Sequence, residues 1–185
     1  MKFRLNTFRQ HRNILTATTA YQCAKIQASR YSTNSLASNR EQSKYAEALA
    51  KKTGLKIVRL CATWSDFSKN IFRRGKKIIL PKIFDFISLI NNARYVLTDS
   101  FHGTAFALNL NTEPICIFPE KFSGRLESIL RLTGTLDRRV KSCDDFSILD
   151  RHVDFSHVNS VLDSERRKVS EWFSMVLDEI RASNA

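Results

Sequence analysis

The chain has 185 residues, 43% of them hydrophobic, and a formal charge of +12. That length suits one domain of ordinary size, and thirteen Phe residues supply material for its core. The charge favours an anionic partner, whether a phosphate ligand, nucleic acid or an acidic membrane face, although a solvated basic surface explains it as simply.

Cys23, Cys61, Cys116 and Cys143 are far apart, with no C-x-x-C pair and no Cys/His ligand spacing. This argues against zinc, and nothing calls for disulfides, which fits a reducing cytoplasm. Cys61 and Cys116 lie in apolar, strand-like runs and read as small core residues. No run reaches the length of a membrane span, and association at a membrane surface stays open.

Residues 1–40 carry seven Lys or Arg and no Asp or Glu. The stretch SRYSTNSLASNR, 29–40, is small and polar. The segment reads as basic and poorly ordered, without the continuous apolar core of a signal peptide, and the ordered domain is expected to start near Glu41 and run to residue 185. Residues 41–52 have helix formers with Tyr45, Ala48 and Leu49 on one face, and Gly54 stops them. Residues 55–60 (LKIVRL) form a short strand. Residues 64–77 read as basic and irregular, and 78–80 (IIL) as a second strand. Pro81 opens a helix with Ile83, Phe86, Ile87 and Ile90 on one side. Residues 94–98 (RYVLT) are a strand, 102–109 a buried helix, and 115–118 (ICIF) another strand. Ser123 is placed to cap a helix with Leu126, Ile129 and Leu130, and Gly134 ends it. A loop region follows. The last helix, about 161–182, sets Val169, Trp172, Phe173, Val176, Leu177 and Ile180 on one stripe. This alternation without hairpin signals predicts an α/β fold, a mainly parallel Rossmann-like sheet layered with helices.

The stretch YVLTDSFHGTAFALNL, 95–110, sets Asp99-Ser100-Phe101-His102-Gly103-Thr104 between a strand and a helix. In a parallel sheet, ligands bind beyond the carboxyl ends of strands, where a following helix also presents unpaired N–H groups. Gly103 would let an anion approach the backbone, Ser100 and Thr104 could cap the helix or donate to an oxyanion, and His102 could move a proton near neutral pH. The plainer alternative is that Asp99 or Ser100 is an N-cap and His102 a hydrogen-bonded side chain of ordinary kind.

Read as one string, NARYVLTDSFHGTAFALNLNTEPICIF, SGRLESILRLTG and LDRRV resemble the polysaccharide pyruvyl transferase family. Residues 92–104 follow that family's S-F-H-G-T block nearly position by position. Arg125-Leu126, the segment GTLDR at 134–138, the helix after Pro81 and residues Arg167, Ser170 and Phe173 of the last helix echo its weaker motifs. The likeness covers roughly residues 41–182. It implies the C-terminal half of a two-domain glycosyltransferase-B-like fold, so the chain is expected to be a fragment, or to be completed by a separate N-terminal half-domain chain, and to be weak or inactive alone.

The resemblance further implies phosphoenolpyruvate as donor substrate, no cofactor or metal, and a saccharide or lipid-linked saccharide of a cell-surface polysaccharide as acceptor. The site is expected in the cytoplasm, with room for peripheral contact at the inner membrane face. Under this reading His102 transfers protons, Arg125 clamps an oxyanion, Ser100, Gly103 and Thr104 form the anion site, and Asp99 orients His102 or, more simply, caps the helix. Arg73, Arg74, Lys76 and Lys77 read as a solvated loop or a contact for an acidic acceptor or membrane. Two other classes stay open: a nucleotide-sugar glycosyltransferase half-domain and a non-catalytic remnant. Nucleic acid is not expected, since no RNA-binding motif is present.

Overall fold

The computed structural model describes residues 14–18, 39–61, 63–118, 123–142 and 144–183. Among the described residues six strands form: β1 (Ile14–Thr18), β2 (Lys56–Cys61), β3 (Lys76–Ile79), β4 (Tyr95–Thr98), β5 (Glu113–Ile117) and β6 (Arg139–Val140). Their spatial order is β3-β2-β1-β4-β5-β6, and every pairing is parallel. This is the order of the doubly wound dinucleotide-binding sheet, in which the winding direction reverses between β1 and β4.

The helices are α1 (Asn39–Thr53), α2 (Trp64–Asn70), α3 (Ile83–Asn91), α4 (Phe101–Asn109), α5 (Gly124–Leu132) and α6 (Phe155–Ser183). Two-residue alternation along the strands sends side chains to opposite faces. Tyr95, Leu97, Ile115 and Ile117 meet Tyr45, Ala46, Leu49 and Ala50 of α1 on one face. Val96 turns the other way, against Ile90 of α3 and Ala107 of α4, and Cys116 packs on Leu126 and Leu130 of α5. Each fully buried Leu or Ile here contributes roughly 1.5–3 kcal/mol. Tyr45 also stacks on Phe146 at 5.2 Å, and its hydroxyl donates to the Asp145 carbonyl at 2.9 Å, which pins the loop before α6 to the α1 face.

Three expectations are corrected. The ordered domain does not wait for Glu41, because β1 sits inside the basic N-terminal segment and pairs with β2 and β4 at the centre of the sheet. The expectation of poor order for the rest of that segment falls on residues 1–13 and 19–38, outside the described residues. The irregular stretch after residue 63 contains α2, whose N-cap Thr63 accepts from the Asp66 amide at 3.1 Å. The loop before the last helix holds β6 and two 3-10 turns, Leu136–Arg138 and Ser147–Leu149, and α6 starts at Phe155, with Asp154 Oδ1 accepting from the Ser156 and His157 amides. Cys61 and Cys116 are buried and free, as their runs implied.

Arg138 fixes the far edge of the sheet. It is wholly buried and donates to the carbonyls of Pro114 (2.9 Å), Ile148 (3.1 Å) and Arg151 (2.6 Å). Its Nη2 lies 3.5 Å from Glu113 Oε2, and Glu113 Oε1 lies 3.0 Å from His152 Nδ1. Burial pulls the guanidinium pKa down, and the Glu113 carboxylate opposes that shift.

At the other edge the α2–β3 turn closes on Gly75, at φ +108°. A Cβ there would stand 2.7 Å from both Cβ and the carbonyl oxygen of Ile57 in β2. Backbone strain and the clash each cost about 1–3 kcal/mol. Gly75→Ala is therefore expected to lower stability by about 3 kcal/mol, read as a lower urea midpoint at unchanged slope.

Candidate active site

The carboxyl end of β4 delivers Asp99 and Ser100 to the edge where the winding reverses. Ser100 is the N-cap of α4: its backbone is extended, and its hydroxyl faces the Gly103 amide at 3.4 Å. The Ser100 amide in turn donates to Thr98 Oγ1 at 3.0 Å, so the strand end and the helix start are tied together. The amides of Phe101 and His102 fall in the first turn, where no intrahelical acceptor exists, and the helix dipole adds positive potential there.

Asp99 does not cap the helix; of the two adjacent candidates Ser100 takes that place. Asp99 Oδ2 accepts from Gln42 Nε2 of α1 at 3.1 Å. This bond spans the gap between the helix that follows β1 and the one that follows β4. Gln42 is therefore part of the site wall, and its sequence context, a polar residue at a helix start, carried no signal for that.

Thr104 is not available to an anion at the edge. It is 0% exposed, its hydroxyl donates back to the Ser100 carbonyl at 3.1 Å, and its oxygen lies 3.4 Å from Cys116 Sγ. Burial pushes the Cys116 thiol up to about 12, with the Thr104 hydrogen bond acting the other way. That thiol is a core group. Gly103 is buried in the first turn, with its amide on the Ser100 cap.

His102 is exposed. Its ring meets the Phe101 ring edge to face at 5.5 Å, and the Arg125 guanidinium lies 5.9 Å from the centroid of that same ring. One aromatic side chain thus carries the two groups of opposite chemical duty, a titratable imidazole and a permanent cation. Arg125 is the second residue of α5, and Leu126 anchors that helix beneath it. Ser123 stands at the N-cap position of α5 without a side-chain cap bond.

A further cation was missed. Arg139 of β6 is exposed and stacks at 4.2 Å on Phe118, the residue after β5. Arg138 ends the 3-10 turn with its side chain buried, and Arg139 opens β6 with its side chain exposed. The adjacent arginine pair was the signal available. The edge therefore presents a helix start with His102 and Arg125 grouped on Phe101, an arrangement suited to a small anion carrying carboxylate or phosphate oxygens, while Arg139 stands two strands away, level with Thr98 through Cys116.

A sequence model described as polysaccharide pyruvyl transferase matches residues 8–117. The matched span runs from before β1 to the end of β5 and contains the whole Ser100–Thr104 turn; Arg125 lies beyond it. It begins well before the expected start near residue 41, in keeping with the place of β1 in the sheet. No curated protein and no solved structure matches the chain.

Proposed function

Because the chain belongs to the polysaccharide pyruvyl transferase family, we propose that it acts on phosphoenolpyruvate, moving the pyruvyl group onto hydroxyls of a saccharide or lipid-linked saccharide on the cytoplasmic side of a membrane. The domain is read as one wall of a glycosyltransferase-B-like cleft. The observation that carries the reading is the grouping of His102 and Arg125 around Phe101 at the start of α4, beside the β1/β4 reversal.

The chemistry needs a proton at the methylene carbon, which makes C2 electrophilic. A sugar hydroxyl then attacks C2 and gives up its proton. The C2–O bond to phosphate then breaks, phosphate departing with the electron pair, and a second hydroxyl bonds to C2 and closes the ketal, its proton passing to the departing phosphate. In this reading His102, exposed in the first turn of α4, carries protons in these steps. Arg125 holds carboxylate or phosphate oxygens through its planar fork, and the Phe101 and His102 amides add donors that need no reorganisation. Gln42 and Asp99 fix the approach of α1 to this edge. Phosphoenolpyruvate is itself the donor, so the reaction calls on no cofactor. An opposing wall would supply acceptor positioning and water exclusion, and positioning alone accounts for ~7–11 kcal/mol of such barriers. Turnover by this chain alone is therefore expected to be slow, while anion binding persists.

A second reading rests on the strand order, which is that of nucleotide-binding sheets: a glycosyltransferase half-domain that takes a nucleotide sugar at the same helix start. One experiment separates them. Phosphoenolpyruvate is expected to raise the unfolding midpoint of the chain. Arg125→Ala should lose most of that shift. His102→Ala should keep it while cutting acceptor-dependent phosphate release about 10²- to 10⁴-fold. A midpoint that responds to a nucleotide sugar and not to phosphoenolpyruvate would replace the first reading by the second.

A further inference from the structure

The turn between α2 and β3 is built rigidly and exposes what a folded domain normally hides. Phe72 at its tip is 98% exposed and its neighbour Ile71 is 48% exposed. Yet the backbone beneath them is tied on all sides. The Arg73 amide donates to the Asn70 carbonyl at 2.9 Å, and buried Asn70 Nδ2 donates to the Asp66 carbonyl at 2.8 Å. Buried Arg59 reaches from β2 to donate to the Arg74 carbonyl at 2.9 Å, while holding Glu47 at 3.0 Å. Lys77 Nζ donates to the Arg73 carbonyl. Gly75 lies so close to Ile57 that no side chain fits between them. The tip cannot fold back to cover Phe72 without breaking these bonds.

Cations surround the tip. Lys69, Arg74 and Lys76 are exposed, and Arg73 and Lys77 are half-buried. The nearest acid in the sequence, Asp66, sits at the start of α2 and accepts from the Thr63 hydroxyl at 2.9 Å. An aromatic and an aliphatic side chain at the apex of a basic collar match a bilayer with anionic headgroups: the collar meets the charge, and the tip enters the apolar boundary below it. A single-stranded nucleic acid could stack on Phe72 but has no use for Ile71.

We propose that the α2–β3 turn, residues 69–77, docks the chain on an anionic phospholipid surface, with Phe72 and Ile71 inserted. The turn precedes β3, so it lies at the amino ends of the parallel strands, and the candidate active site lies at their carboxyl ends. The proposal thus stands apart from the transferase reading, and neither test decides the other.

The test is co-sedimentation of the full chain with vesicles of phosphatidylcholine alone or mixed with phosphatidylglycerol. Binding is expected only to the mixed vesicles, and to weaken with salt. Arg73→Gln with Arg74→Gln should reduce it about 25-fold, at about fivefold per cation near a charged surface. Phe72→Ser should reduce it about tenfold. Trp64→Ser, which removes an exposed aromatic at the opposite edge, should leave it unchanged. Unaltered unfolding midpoints would show that the variants fold. No binding to mixed vesicles overturns the proposal, and so does unchanged binding in either the Phe72 or the arginine variant. If Phe72→Ser binds normally and the same arginines retain single-stranded RNA, the turn is a general polyanion site instead.

Discussion

A chain beginning at residue 39 is expected to lose cooperative unfolding altogether. The basic N-terminal segment looks dispensable by composition, yet β1 lies between β2 and β4 and pairs with both. Removing it takes away both ladders and leaves β3-β2 separated from β4-β5-β6. At ~1 kcal/mol per net hydrogen bond, a five-residue strand bonded on two sides is worth on the order of 5–10 kcal/mol. That equals most of the ~5–15 kcal/mol that holds a typical domain together. The newly opened edges of β2 and β4 would also invite pairing with other chains. The measurement is a urea titration of both forms followed by far-ultraviolet circular dichroism. A sigmoidal transition in the shortened chain, with the slope of the full one, would show that β1 is not integral to the sheet.

The second large effect is expected at Arg138. Arg138→Ala strips the partner from buried Glu113 and from three carbonyl groups at once. Breaking one side of a buried ion pair costs about 3–5 kcal/mol, mostly through the charge left behind. The charge left behind is that of Glu113, whose remaining contact is His152 Nδ1 at 3.0 Å. Adding Glu113→Gln to Arg138→Ala should therefore restore part of the loss, read as a recovered urea midpoint. No recovery in the double variant would mean that the lost carbonyl contacts dominate and the charge does not.

How much of this was legible depended on length and on chemistry at the element ends. The stretches that became α1, β4, α4 and β5 were long or apolar enough for their periodicity to stand out, and the strand-to-helix turn at Ser100 carried its own signature. β1 did not stand out, because Ile-Leu-Thr-Ala-Thr is short and lies in a segment whose composition speaks for disorder. Only its pairing shows its value, and pairing is not local. β6 has two residues, too few for any period. α2 could have been found: Thr63 and Asp66 have the spacing of a capping box, with Thr63 Oγ1 accepting from the Asp66 amide and the Asp66 carboxylate accepting from the Thr63 hydroxyl rather than from its amide. Asp154 likewise marked the true start of α6. At the site, sequence located the turn and His102 but could not divide the roles of neighbouring hydroxyls. Ser100 and Thr104 are four residues apart on a helix, so one caps the end while the other turns back into the sheet. The Phe101 ring, which brings His102 and Arg125 together, depends on where α5 packs, and that is a tertiary fact.

The central place of β1 also has a consequence in time. It is made first, but Leu15 pairs with Tyr95, some eighty residues later. At a synthesis rate of roughly 5–20 residues per second, several seconds pass before its second neighbour emerges. During that interval β1 can pair with β2 on one side only, and the nascent sheet carries an open, apolar flank. Parallel pairings over long sequence distance are slow to form even in the finished chain. Yield on expression should thus be governed by how long this flank stays open and by chaperones that shield it, and raising chaperone levels during synthesis should favour soluble chain over aggregate.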